Sequence, residues 1–161
     1  MSILVRIDDL SSPEVQALVA EHLAGMHGNS PVGHVRALAI EGLRAPNVTF
    51  WSAWSGETLC GCGALMELSS SSGEIKSMRT RNAHLKQGVA QAVLDEIVRT
   101  AAERGYAHLY LETGTGPAFD PAHALYRKNG FVWCGAFGDY VATDFNVFMV
   151  KQLAAATVAS R

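Results

Sequence analysis

The stretch HLKQGVAQAVLDEIV, residues 84–98, joins a glycine turn directly to an amphipathic helix. From Gly88 onward, Val89, Val93 and Ile97 recur at helical spacing and form one apolar face. A helix with such a face packs on a sheet, so this stretch anchors the prediction of the fold.

The turn at Gly88 follows a predicted strand and begins the helix. Backbone N–H groups at a helix start are unpaired, and the helix dipole is positive there, so a strand, a glycine turn and a helix together form an anion site. Phosphate is the natural ligand. In the alternative interpretation, the glycine only permits a tight turn and lets the helix approach the sheet. The local pattern alone leaves both open.

Hydrophobic patterning outside this stretch predicts an α/β fold with one mixed sheet and helices on both faces. The predicted order is strand, helix, helix, three strands, helix, strand, helix and two strands. The strands are expected at 3–8, 48–54, 58–68, 73–80, 107–113, 131–135 and 145–151, and the helices at 11–28, 34–43, 88–104 and 120–129.

Composition indicates a single domain over residues 1–161, with a flexible tail at about 154–161. The net charge of −2 gives no broad basic field for nucleic acid or an anionic membrane. No apolar run approaches the roughly 18–20 residues that span a bilayer, and the first ten residues do not resemble a signal peptide. We therefore expect a cytoplasmic protein without nucleic-acid or membrane partners.

Three cysteines, an odd number, do not form a disulfide framework. Cys60 and Cys62 lie two residues apart and are expected to share one face of a strand, where a metal site is conceivable in principle. No second ligand pair lies nearby, so small core residues are the better interpretation. The histidines at 22, 108 and 123 lack paired spacing, and no metal is predicted.

Other motifs of phosphate and hydrolase chemistry are missing from the chain. There is no GxxxxGK[ST], and no GxSxG or HExxH. Nucleotide hydrolases and the common hydrolase classes are therefore disfavoured.

Two motifs and the order of the elements resemble the GNAT superfamily of N-acetyltransferases, over nearly the whole chain. Gly88-Val89-Ala90 fits the second half of the family's Gln/Arg-x-x-Gly-x-Gly/Ala motif, whereas Leu85 departs from its first position. The stretch ALYRKNGF, residues 124–131, fits the Tyr-x-x-x-Gly-Phe motif. The resemblance implies a central, mostly antiparallel mixed sheet of about six to seven strands, and acetyl-CoA as the cofactor.

The resemblance also implies roles for individual residues. Tyr126 is expected to be the general acid that protonates the departing thiolate, unless it is only a core tyrosine on an apolar helix face. Glu74 is expected to be the base, directly or through water, and Glu112, at the end of the neighbouring strand, is the rival; in the alternative interpretation both are solvated carboxylates at strand ends. The strand that ends at residues 78–80 is expected to splay from the strand at 107–113 and to offer free N–H groups to the cofactor. The implied cofactor-binding residues are Met78, Arg79, Thr80, Leu85, Lys86, Gln87, Gly88, Val89 and Ala90, with Lys86 supplying charge in place of the missing side chain at 85.

The acceptor is expected between the first two helices, at residues 25–34, and the loop at 135–144. The polar candidates for binding it are His27, Asp139, Tyr140 and Asp144. Together with Glu112, the two aspartates favour a cationic amine, unless they are only loop caps and solvated charges.

The sequence thus predicts an acetyl-CoA-dependent N-acetyltransferase that acts on the primary amine of a small molecule by direct transfer in a ternary complex. A non-catalytic acyl-CoA-binding or regulatory module is the alternative that Leu85 favours, and a protein-interaction domain is a third. Cys134 as an acyl-accepting thiol is a minor alternative to direct transfer. An exposed strand edge near the C-terminus is expected to support a homodimer.

Overall fold

The computed structural model describes residues 2–29 and 38–153, apart from the side chains of His27 and Asn29. The predicted order of elements is confirmed in this part of the chain. The strands are β1 Leu4–Ile7, β2 Val48–Ser55, β3 Thr58–Ser69, β4 Ser72–Thr80, β5 His108–Gly114, β6 Val132–Cys134 and β7 Asn146–Gln152. The helices are α1 Pro13–Asn29, α2 Ile40–Leu43, α3 Val89–Glu103 and α4 Asp120–Lys128, with short 3₁₀ turns at Asn82–His84 and Pro117–Phe119.

The seven strands form one sheet in the order β1-β2-β3-β4-β5-β7-β6. Only β4 and β5 pair in parallel, and every other neighbouring pair is antiparallel. The expectation of a mixed, mostly antiparallel sheet is therefore confirmed.

Helices cover both faces of the sheet, as predicted. The apolar face of α3 packs with residues of α4 on one side, around Trp51, Leu65 and Leu109. On the other side, α1 and α2 pack over Phe50 and Trp54. The aromatic residues of β2 are thus core residues of two opposite clusters, and the sheet separates them.

Two glycines of β3 allow α3 to approach the sheet closely. A Cβ atom at Gly63 would lie 2.6 Å from Val93 Cγ1, and one at Gly61 would lie 2.8 Å from Val89 Cγ1. At Gly88, by contrast, a Cβ atom would meet nothing within 4 Å, but φ is +86°. Gly88 is therefore required for the left-handed turn, and close packing of the helix depends on the other two glycines.

A bulge corrects the expectation that Cys60 and Cys62 share a face. The register with β2 shifts between Ala53 and Trp54, which pair with Gly61 and Leu59. The extra residue in β3 turns Cys60 into the α3 cluster and Cys62 into the α1 cluster. Both thiols are buried, and they lie on opposite faces of the sheet.

The second helix is shorter than expected within the described residues, because it begins at Ile40. The start of the predicted helix, residues 34–37, lies outside the described residues, as does the predicted tail at 154–161. No helix in the described ranges has the length and apolar character needed to cross a bilayer.

Candidate active site

Strands β4 and β5 separate partway along their length and open the sheet. Their parallel ladder runs from Ser72 and His108 to Glu74 and Tyr110. Both strands continue beyond this point, to Thr80 and Gly114. The opening between them is the splay that the resemblance implied.

A second bulge shapes the β4 side of the opening. Cys62 and Ala64 of β3 pair with Arg79 and Lys76, so three residues of β4 span the distance of two in β3. Ser77 lies in this bulge with φ +57°, a left-handed conformation that is uncommon for a residue with a side chain. The bulge brings Ser77 and Met78 to the wall of the opening.

The opening is a cleft of about 130 Å³. Elements from both faces of the sheet contribute to its walls, because the splay connects the two faces. Its polar and ionisable wall residues include His22, Glu74, Lys76, Glu112, Tyr126 and Tyr140. The three residues expected to act as acid or base thus lie around one cleft.

Tyr126 is in the last turn of α4, and the motif around it has a structural explanation. Gly130 adopts φ +91°, and the backbone N–H of Phe131 donates to the Tyr126 carbonyl over 3.0 Å. This turn folds the Phe131 ring back against the Tyr126 ring at 5.5 Å. Burial raises the pKa of Tyr126, so the phenol stays protonated at neutral pH and is available as an acid.

Glu74 is buried in a hydrogen-bonded cluster that the sequence did not predict. The Tyr140 hydroxyl donates to Glu74 Oε2 over 2.6 Å, and Lys76 Nζ donates to the same oxygen over 3.3 Å. Lys76 Nζ also donates to the Tyr140 hydroxyl over 3.1 Å. The ammonium balances the charge of the carboxylate, and Tyr140 ties the loop at 135–145 to β4. Glu74 and Lys76 are two residues apart in a strand and therefore share one face. This spacing is the sequence signal that could have predicted their contact.

The glycine turn after β4 leads into the start of α3. Lys86 and Gly88 adopt φ +62° and +86°, and Gly88 caps the start of α3. The Arg81 N–H donates to the Cys60 carbonyl over 2.8 Å and fixes the beginning of the turn. Leu85 is 53% exposed, so it packs into no core and leaves the turn accessible. The N–H groups in the first turn of α3 have no partner within the helix, and they point towards this glycine turn.

A pair of amides joins α3 to the end of α4. Gln91 Nε2 donates to Asn129 Oδ1 over 2.8 Å, and Asn129 Nδ2 donates to Gln91 Oε1 over 3.0 Å. Asn129 Nδ2 also donates to the Leu125 carbonyl over 2.8 Å. The glycine turn and the helix of Tyr126 are therefore held in a fixed relation.

Three buried polar atoms around the β4 bulge have no hydrogen-bond partner in the described part of the chain: His22 Nδ1, Ser77 Oγ and Arg79 Nε. Arg79 Nε lies 3.7 Å from Glu21 Oε1, an ion pair that is too long for a hydrogen bond. Burial, and secondarily the charge of Arg79, lower the pKa of His22 to about 4. The imidazole is therefore neutral at pH 7. His22 has no role in the predictions from the sequence, because its burial depends on packing between α1 and β4.

The predicted acceptor residues are only partly brought together. Tyr140 lines the cleft, whereas Asp139 and Asp144 are exposed in the same loop and do not line it. His27 lies in α1, but its side chain is outside the described set. Phe145 lines the cleft and was not predicted. Within residues 2–29 and 38–153, no three His, Cys, Asp or Glu residues are grouped so as to hold a metal ion.

Residues 13–131 match the model of the acetyltransferase (GNAT) family. The chain is 50% identical over 149 residues to YsnE of Bacillus subtilis (strain 168), named an uncharacterized N-acetyltransferase, and the match covers 92% of this chain and 99% of YsnE. It is 48% identical over 149 residues to YedL of Escherichia coli (strain K12), which bears the same description, with 92% and 94% covered.

The structure is also similar to that of a GNAT family acetyltransferase from Elizabethkingia anophelis with acetyl-CoA bound. The TM-score is 0.69 at 15% identity, and the match covers 94% of this chain and 98% of that one. At this identity the likeness shows the fold alone. The family match and the two sequence relatives show that the chain belongs to the acetyltransferase (GNAT) family.

Proposed function

We propose that this family member is an acetyl-CoA-dependent N-acetyltransferase that acts on the primary amine of a small molecule by direct transfer in a ternary complex. The observation that carries the proposal is the opening between β4 and β5, with the protonated phenol of Tyr126 on its wall. The family and the acetyl-CoA bound to the Elizabethkingia protein support the choice of cofactor.

The residues present fit acetyl-CoA. The left-handed turn at Lys86 and Gly88, at the start of α3, suits a pyrophosphate, since backbone N–H groups and the helix dipole both favour an anion there. Lys86 is exposed beside this turn and compensates for Leu85, which has no polar group to offer. Residues 78–80, which precede the turn, belong to the part of β4 that no longer pairs with β5. Their backbone N–H groups suit the pantetheine arm and the thioester carbonyl.

When bound, the cofactor supplies an acetyl group as a reactive thioester. The protein has to remove a proton from the amine nitrogen and return one to the thiolate. Tyr126 donates the proton to sulfur. Glu74 or Glu112, which both line the cleft, accepts the proton from nitrogen, directly or through water. Lys76 and Tyr140 orient the Glu74 carboxylate. The kcat/KM–pH profiles of Glu74→Gln and Glu112→Gln, compared with that of the wild type, identify which of the two glutamates is the base.

Direct transfer is supported by the positions of the cysteines. Cys134 does not line the cleft, and burial raises its pKa. Burial raises the pKa of Cys62 to about 12, and Cys60 is buried in the α3 core. A thiol that stays protonated is a poor acyl acceptor. Intersecting initial-velocity lines for acetyl-CoA and amine would agree with a ternary complex, and parallel lines would contradict it.

The first test is thermal denaturation with acetyl-CoA, and with NADH as the control ligand. Acetyl-CoA at about 100 times its Kd should stabilise the fold by about 2.7 kcal/mol, and NADH should not. Release of the coenzyme A thiol is then followed with a panel of primary amines. Binding without turnover would favour the non-catalytic acyl-CoA module, and no binding at millimolar acetyl-CoA would favour a protein-interaction domain.

We also propose a homodimer through the β6 edge of the sheet. β6 pairs only with β7 in the described sheet, and Val132 on it is 60% exposed. An exposed apolar edge strand is a template for pairing with a second copy.

A further inference from the structure

Helix α1 places a histidine on the wall of the cleft. His22 is only 7% exposed, and its Nδ1 has no hydrogen-bond partner among the described residues. Leaving a buried polar atom unsatisfied costs free energy, and such atoms in native structures call for an explanation. His22 also lines the cleft, so a molecule bound there is one source of the missing partner.

His22 and the glycine turn lie on opposite faces of the sheet. Ile75 and Met78 of β4 pack into the α3 core, on the face of the turn. Glu74 and Lys76 alternate to the opposite face, where α1 and Tyr140 cover them. His22 therefore approaches the opening from the side away from the expected pyrophosphate site, which is the side left for the acceptor.

Ser77 is a second polar group of the same kind. It is 9% exposed, its Oγ has no partner among the described residues, and it lines the same cleft. His22 comes from α1 and Ser77 from the bulge of β4, so two independent elements that each carry an unsatisfied atom line one space. A ligand with two hydrogen-bond donors would satisfy both.

The charges around His22 determine which form of an amine it can hold. Arg79 and Glu21 lie at the contact of α1 with β4, and Arg79 pairs with Glu21 at 3.7 Å. The groups that face the cleft from the other elements are Glu74 and Lys76 on β4, Glu112 on β5, Tyr126 on α4 and Tyr140 in the loop. Burial and Arg79 keep the imidazole uncharged, and they oppose an ammonium beside it for the same reasons.

We propose that His22 is a specificity-determining residue of the acceptor site, where its imidazole accepts a hydrogen bond from one N–H of a primary amine while Ser77 Oγ accepts one from the other. An uncharged primary amine has two N–H groups and one lone pair. With both N–H groups held, the lone pair remains for attack on the thioester carbonyl. As the C–N bond forms and the C–S bond breaks, one of the two N–H protons passes through water to the proposed base, Glu74 or Glu112, and the departing thiolate takes the proton of Tyr126. The inference rests on the proposed function and adds the group that recognises the acceptor nitrogen.

The test compares the wild type with His22→Phe, which keeps a flat ring without polar atoms, and with His22→Asn, whose amide oxygen can replace Nδ1 as an acceptor. Leu23→Met is the packing control on the same helix. The probes are 2-phenylethylamine, 1,4-diaminobutane and glycinamide, with saturating acetyl-CoA. We expect His22→Phe to lower kcat/KM for the amine at least about tenfold, mainly through a higher KM, whereas His22→Asn retains activity within about threefold.

A second readout separates acceptor binding from the cofactor site. The thermal shift given by acetyl-CoA should be equal in the wild type, His22→Phe and His22→Asn. Ser77→Ala, like His22→Phe, should raise the KM for the amine. Leu23→Met should leave both measurements unchanged.

The outcomes are distinguishable. An amine that His22→Phe acetylates with wild-type kcat/KM would overturn the role of His22 and leave the proposed function intact. A wild-type protein that binds acetyl-CoA but acetylates none of the three amines would overturn the proposed function, and the inference with it.

Discussion

At the scale of single residues, burial shifts the pKa values of Tyr126 and His22 in opposite directions. Burial raises the pKa of the phenol and keeps its proton, whereas burial lowers the pKa of the imidazole and keeps its lone pair. Tyr126 could be predicted from the sequence, because Gly130 and Phe131 belong to its motif. His22 could not, because its environment is formed by β4, more than 50 residues away.

Replacement of Tyr126 by phenylalanine should lower kcat at least about tenfold, because the thiolate then leaves without a proton donor. The Kd of acetyl-CoA should change little, since the ring and its contact with Phe131 remain. Tyr106→Phe is the matched control: Tyr106 is also buried, but its hydroxyl donates to Glu67 at 2.5 Å, away from the cleft. Unchanged turnover in Tyr126→Phe would remove Tyr126 from the mechanism.

His22 should make the stability of the fold depend on pH. Its pKa falls from 6.5 to about 4 on folding, so between these values the unfolded chain binds more protons and the free energy of unfolding decreases as pH falls. Between pH 7 and 4.5 the wild type should lose about 2–3 kcal/mol more than His22→Phe does. Urea denaturation of both proteins at the two pH values measures this difference, and equal losses would contradict the burial of a neutral imidazole.

At the scale of elements, local patterns predicted the helices and strands, and pairing between strands determined the details that were missed. The bulges at Cys60 and Ser77 arise from the register of β3 with its two neighbours. A bulge reverses the faces of the residues on one side of it, so the expectation for the two cysteines of β3 was wrong. The glycine turn, in contrast, was predictable because its conformation is local.

Gly88→Ala should weaken the binding of acetyl-CoA about tenfold, which corresponds to about 1.4 kcal/mol. Alanine at φ +86° costs roughly 1–2 kcal/mol, and relaxation of that strain moves the N–H groups of the turn. Gly56 is the matched control, because it has φ +60° and open space around it in the β2–β3 hairpin. Gly56→Ala should lower the free energy of unfolding about as much as Gly88→Ala does. Its affinity for acetyl-CoA, measured by calorimetry, should equal that of the wild type. Equal affinities in the two variants would place the cofactor elsewhere.

At the scale of the whole molecule, the proposed cofactor and acceptor sites lie on opposite faces of the sheet. The glycine turn and α3 lie on one face, α1 and Tyr140 lie on the other, and the splay of β4 from β5 joins them. The order of elements was enough to predict the sheet and its helices. The proposed acceptor side was harder to predict, since it depends on contacts between α1, β4 and the loop at 135–145 that no short motif records.

The two edges of this sheet permit a test of the proposed dimer. Val132 on β6 and Ile7 on β1 are both exposed apolar residues of edge strands. A lysine on an edge strand opposes pairing with a second copy, so Val132→Lys should convert a dimer into a monomer in sedimentation velocity at one fixed protein concentration. Ile7→Lys should remain dimeric, because it changes the opposite edge. A monomeric wild type would refute the dimer, and a monomer produced only by Ile7→Lys would move the interface from β6 to β1.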